Sequence, residues 1–259
     1  MTPIIFLIIA IVVGFVTAGL NIRFDRFFAI ILLVALAKFT VPEAINIFLW
    51  IVFFGAGFVL FKNKDKLKGM PTENKKRFLT LIPLLALLGV WAGTALFVSV
   101  SDRILLITIG ALAFLYGLRL VFLHFKPHER EFKNEKPIYQ KICGFFGPIV
   151  SGFFIGFVGT TLKPLKIPFA VKLGKMNLGQ VYLGNTVTAF YASLFAIILH
   201  SFYSAKAIIT VKDVLLGAGL WLSIHIVYVL TDSIFPNRWR KVFQIVIGII
   251  LVVVAFKFL

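Results

Sequence analysis

Hydrophobic and polar positions fall along this chain in long blocks, not in the short periods of a water-soluble fold. Residues 1–22 carry no charged side chain. About 20 apolar residues cross a bilayer at 1.5 Å per residue, so this run predicts a first spanning helix. Its length, and the lack of a basic leading region, separate it from a cleaved signal peptide. A polar knot containing Asn21, Arg23 and Arg26 follows. Residues 27–37 are then apolar for too short a distance to span, which predicts a half-helix or re-entrant segment. Pro42 and Glu43 open a helix over 44–61, with proline in its favoured first turn and an acid at the positive dipole end. After a loop at 62–77 with seven basic residues, 78–101 and 104–125 read as spans. Arg119 falls near the end of the latter, where its stem would snorkel to the headgroups.

A second basic loop, 126–141, divides the chain almost in half, and beyond it the order recurs. A span at 142–159 is followed by a short broken segment at 164–173 and by spans at 176–200, 214–231 and 242–259. Each half reads long, short, long, long, long, an internal duplication of the transporter type. The expectation is an all-α integral membrane protein with about eight transmembrane helices plus two short broken or re-entrant helices. Residues 1–126 would form the first repeat, 127–141 the connecting loop and 142–259 the second repeat. If the short segments return to their own side, the basic residues other than Arg119 divide 15 against 11. If they effectively cross, the division is 19 against 7, which obeys the positive-inside rule far better and makes the halves inverted repeats.

Composition strengthens the class. With 60% hydrophobic residues and 30 phenylalanines, the chain lacks the polar surface of a soluble domain. The net charge of +17 on a soluble domain would point to nucleic acid. Here the basic residues lie between apolar segments, so the expected partners are anionic membrane lipids, with no nucleic acid. The location expected is a cell membrane, multi-pass, of the prokaryotic inner-membrane kind.

The candidate chemistry is basic and neutral-polar. No phosphate-binding loop is present, no His/Cys/Asp/Glu set has metal-ligand spacing, and no cofactor is expected. Of the four histidines, His124, His128 and His200 lie at or beyond helix ends, and His225 sits in an apolar run. Acids are nearly absent from membrane depth, which argues against a cation transporter. The densest stretch is 147–188. There Gly152, Gly156 and Gly159 form one smooth helix face, suited to close helix packing or to backbone approach along a substrate path. Next come Thr160, Thr161 and Lys163, then Pro164, Lys166, Pro168 and Lys172, before a helix carrying Gly184, Asn185, Thr186 and Thr188. Prolines free backbone groups, a broken helix offers N–H groups and a positive dipole end, and lysines add charge: all suit an anion. The matching place in the first half holds Asn21, Arg23 and Arg26, so two basic breaks occupy corresponding positions.

These residues resemble the TauE/SafE sulfite-exporter family of sulfonate-uptake permeases, small membrane proteins of two four-helix repeats. The family's repeats open with a pattern close to G-x-x-x-G-x-x-G-x-G-G-G, then proline and a small-residue stretch. The second repeat keeps Gly152, Gly156 and Gly159, then Pro168, then Gly184-Asn185-Thr186, with Thr161-Leu162-Lys163 where the glycine triplet would stand. The first keeps Gly14, with Ala18 and Asn21 for the next two glycines and Arg23-Phe24-Asp25 for the triplet. The resemblance implies a secondary permease, not an enzyme, for a small anion such as sulfite, a sulfonate or a related organic acid. Lys163, Lys166, Lys172, Arg23 and Arg26 would attract the anion; Thr161, Asn185, Thr186 and Asn21 would orient it. The alternatives are a membrane-embedded enzyme or binder of lipid phosphate headgroups, and a non-transporting partner subunit.

Overall fold

The computed structural model describes residues 2–20, 27–69, 76–122, 137–172, 178–203 and 209–259. Among them the regular elements are helices: α1 (Pro3–Leu20), α2 (Phe28–Ala35), α3 (Val41–Lys62), α4 (Lys64–Lys68), α5 (Ile82–Ser99), α6 (Asp102–Phe122), α7 (Pro137–Val158), α8 (Lys163–Lys172), α9 (Leu178–Tyr203), α10 (Val211–Asp232) and α11 (Asn237–Phe258). A π-helical turn, Arg77–Leu81, leads into α5. Eight helices are long and apolar enough to cross a membrane, and the short α2 and α8 fall where the apolar runs are cut short. The chain is an all-α, multi-pass membrane protein.

Two helix starts are fixed by the same local chemistry. Before α3, the Thr40 backbone N–H and hydroxyl both donate to Glu43 Oε2 (2.9 and 2.8 Å), and the Glu43 N–H returns to the Thr40 hydroxyl (3.4 Å). Before α10, Thr210 and Asp213 repeat this capping box at 2.7, 2.8 and 3.4 Å. Both acids are thereby spent on orphan N–H groups at helix starts.

The chain divides into two compact units that each draw on both halves of the sequence. The first comprises Met1–Ile51, Val100–Phe125 and Ile209–Leu259. Within it α1 runs alongside α10: Gly219 faces Phe6, and a Cβ at Gly14 would meet Val227 at 2.6 Å and the Ile224 carbonyl oxygen at 3.0 Å. The start of α3 lies on the same helix, with Lys212 over Phe39 (5.7 Å) and Gly217 against Ile47 and Trp50. Contacts advance together along each pair, so α1, α3 and α10 point the same way. Pairing of α6 with α11 runs the other way, through mutual approach of Gly117 and Gly248 and of Gly110 to Phe258.

The second unit comprises Val52–Ser99 and Lys126–Ile208. Its centre is the α5–α7 contact, where glycines alternate on both faces. A Cβ on Gly89 or Gly93 would collide with the Ile149 or Phe153 carbonyl oxygen, and one on Gly152 or Gly156 with that of Ala86 or Val90. Small residues let the two backbones touch, the usual basis of close packing in a membrane. Here too the contacts advance in step, from Ala86–Gly152 to Val90–Gly156. Phe78 lies by Gly184 and Phe97 by His200, so α9 follows α5 in the same sense. Thus α7 and α9 are codirectional, as α1 and α3 are. These codirectional pairs are the arrangement expected where the basic residues divide 19 against 7.

The second helix break as a candidate anion site

Helix α7 stops where the backbone turns left-handed. Gly159 has φ 79°, the usual helix-ending conformation, and its N–H closes on the Ile155 carbonyl (3.0 Å). Leu162 has φ 51° without a glycine's freedom, a strained position of the kind that collects at functional sites. Its carbonyl accepts from Leu165 N (3.0 Å) and Lys166 N (2.9 Å) and starts α8. The turn is therefore made by 159–162, ahead of the prolines, which both lie inside α8. Pro164 occupies the first turn, where a missing N–H costs nothing.

The turn is folded against the middle of α7. Thr160 and Thr161 are fully buried. Ser151 Oγ donates to the Thr161 carbonyl (3.1 Å), and Lys163 N donates to Thr161 Oγ1 (3.3 Å). Lys166 Nζ reaches across to Ser151 Oγ and to the Gly147 carbonyl (3.4 Å). Gly147 and Ser151 stand 10 and 14 residues into a 22-residue helix, at roughly half of its ~33 Å length. The Lys166 ammonium is thus held near mid-span. On α9, Lys163 Nζ lies 5.5 Å above the Tyr182 ring. One turn further along, Asn185 is 4% exposed and its side-chain oxygen has no hydrogen-bond partner among the described residues.

The structure thus brings Thr161, Lys163 and Lys166 together around the turn and α7. Thr186 and Thr188 spend their hydroxyl protons on the Tyr182 and Gly184 carbonyls of their own helix (both 2.8 Å). Gly152 and Gly156 lie against the α5 backbone, and Gly184 beside Phe78. Asn21, Arg23 and Arg26 lie outside the described residues, as do His124, His128 and the side chains of Pro164, Pro168 and Lys172.

Sequence reasoning passed over Ser151 and gave no buried role to His200 or Arg119. Ser151 joins the lysine to the turn; its one signal was its place four residues after Gly147, on the same helix face. His200 lies in the last turn of α9, at a helix end as expected, and is fully buried there with its Nε2 2.8 Å from the Gly156 carbonyl of α7. Arg119, expected at the headgroups, is 7% exposed on α6, enclosed within the first unit instead of snorkelling outwards. His225 is half-buried and stacked between Trp221 and Tyr228 of its own helix. All five described acids lie in the first turn of a helix or at its end: Glu43, Asp65, Asp102, Asp213 and Asp232. Among the described residues no three His, Cys, Asp or Glu side chains are grouped to hold a metal.

Eight apolar spans among the described residues define a polytopic membrane protein. The chain belongs to the sulfite exporter TauE/SafE family, whose model matches residues 4–258, essentially its whole length. Proteins of this family are membrane transporters. No curated protein matches the chain, and no solved structure does.

Proposed function

We propose that this protein is a secondary permease for a small anion, sulfite, a sulfonate or a related organic acid, with its site at the helix breaks. The observation that carries this reading is Lys166, a lysine near mid-span, where an ammonium is costly and is retained for function. Its Nζ donates to the Ser151 hydroxyl and to the Gly147 carbonyl, which orient the ammonium. Lys166 and Lys163 attract the anion, with Lys172, Arg23 and Arg26. Thr161, Asn185 and Asn21 orient it. Asn185 is buried on α9, and its amide NH2 is the group that can donate to an anion. Alternating access comes from rocking of one inverted repeat against the other, in a prokaryotic inner membrane.

Counterflow of labelled sulfite, a sulfonate and a small carboxylate in proteoliposomes tests the reading. At least one should exchange, and the double variant Lys163→Ala/Lys166→Ala should lose most of that exchange. Exchange of none, or equal exchange by the double variant, would count against it.

A further inference from the structure

The ends of the two broken spans are built to one plan from different residues. In a helix the last four carbonyls have no partner within the helix, and in an apolar interior a bare carbonyl is costly. At the end of α7, the Gly156 carbonyl meets His200 Nε2 at 2.8 Å. A carbonyl can only accept, so Nε2 carries the proton. The ring stacks on Phe97, with centroids 4.2 Å apart. At the end of α1, the Ala18 carbonyl accepts from Arg240 Nη1 at 2.7 Å, and the guanidinium lies 5.5 Å over the Phe235 ring.

The register of these two places agrees. Gly14 and Gly152 open the glycine pattern of the two halves, and each faces a carbonyl oxygen of the helix packed on it, from Ile224 and Ala86. Four residues further along stand Ala18 and Gly156, whose carbonyls are the ones held. On the partner helices, Asp232 and Thr94 stand eight residues beyond Ile224 and Ala86; Phe97 is eleven beyond on its helix, and Phe235 eleven beyond in the connection after α10. The aromatic platforms therefore coincide. The donors do not descend from one position, because Arg240 comes from α11 and His200 from α9. The same carbonyl is met twice by unrelated donors, which marks holding it as the requirement.

We propose that His200 and Arg240 are equivalent positioning residues, each fixing the last turn of a broken span through one of its end carbonyls. The two holds differ in strength. Asp232 Oδ1 lies 3.1 Å from Arg240 Nη2, and Gln244 Nε2 adds a bond to the Leu20 carbonyl (3.3 Å), so the first end is charge-assisted and doubly tied. At the place of Asp232 the second end has Thr94, 3% exposed, whose hydroxyl has no partner among the described residues. The second end thus has a neutral residue where the first has a carboxylate. Its effect on transport rests on the permease reading; the positioning itself does not.

Thiol labelling tests it without any substrate. In a Cys143→Ser background, Thr160→Cys places a probe at a fully buried residue four positions beyond Gly156. His200→Leu should raise its maleimide labelling rate in liposomes about tenfold, the factor for one lost hydrogen bond. His200→Gln, which keeps a donor at similar reach, should stay within about threefold. Phe97→Leu, which keeps the donor but removes its platform, should lie between them. A control probe, Ala113→Cys on α6, should not change. Arg240→Met should leave Thr160→Cys protected and expose Thr17→Cys instead. Unchanged labelling in His200→Leu, equal opening in His200→Gln, or opening of the Ala113 control would overturn the positioning role. So would opening of both ends by either variant.

Discussion

At the scale of single residues, the second break depends on a few side chains that convert an apolar helix into a polar turn. Ser151 is the hinge of this arrangement, because it gives its proton to the Thr161 carbonyl while its oxygen faces the Lys166 ammonium. Ser151→Ala removes both contacts and should cost about 1–3 kcal/mol, the range for stranding a buried polar partner. A fall in melting temperature in detergent, with weaker anion stabilisation, is the expected reading; an unchanged melting curve would show the network to be incidental. Leu162 offers the opposite sign. Its φ of 51° is strained for leucine, so Leu162→Gly should stabilise the turn or leave it neutral, measurable in the same assay. The lysines and threonines of this stretch were legible as candidates from the sequence. Ser151 and His200 were not, since a lone serine or histidine in an apolar run carries no periodic signal until a neighbouring helix supplies its partner.

At the scale of helices, the α5–α7 contact holds the second unit together. Backbone meets backbone at Gly89, Gly93, Gly152 and Gly156, and there is no flexible side chain to give way. Gly93→Val should cost at least about 2 kcal/mol by overpacking and lower the yield of folded protein, read by size-exclusion profile and thermal shift. Gly219→Ala is the contrast, since its Cβ would meet only the Phe6 ring at 3.3 Å. It should be tolerated within about 1 kcal/mol. The sequence marked the α7 glycines as fit for either packing or a substrate path. It did not pair them with Gly89 and Gly93, because contact between segments some sixty residues apart leaves no local trace.

At the scale of the whole molecule, the direction of the spans sets the topology. The codirectional pairs α1 with α3 and α7 with α9 are what an odd number of effective crossings in each half would give. Single cysteines in a Cys143→Ser background check this against the basic-residue division. Asp65→Cys and Arg238→Cys should label from one face, and Arg103→Cys and Lys212→Cys from the other. Labelling of Lys212→Cys together with Asp65→Cys would return the short segments to their own side and remove the inversion. The compact units are a separate matter from the sequence halves. Helix α1 of the first half packs on α10 of the second, and α7 of the second packs on α5 of the first. A coexpressed split at the loop 126–141 should therefore require both fragments, and neither fragment alone should give a protease-resistant unit.

The sequence by itself determined the membrane class, the positions of the spans, the two short interruptions and the basic character of the second break. Apolar length and charge are summed along the chain, so a linear reading recovers them. Only the tertiary structure decided which helices touch and which carbonyls at the broken ends are held. It also placed the turn at 159–162, ahead of the prolines. Inside a membrane every backbone group must find a partner, and that partner comes from whichever helix lies nearby. His200 and Arg240 reach Gly156 and Ala18 from 44 and 222 residues away, a distance over which sequence pattern carries no information and packing carries all of it.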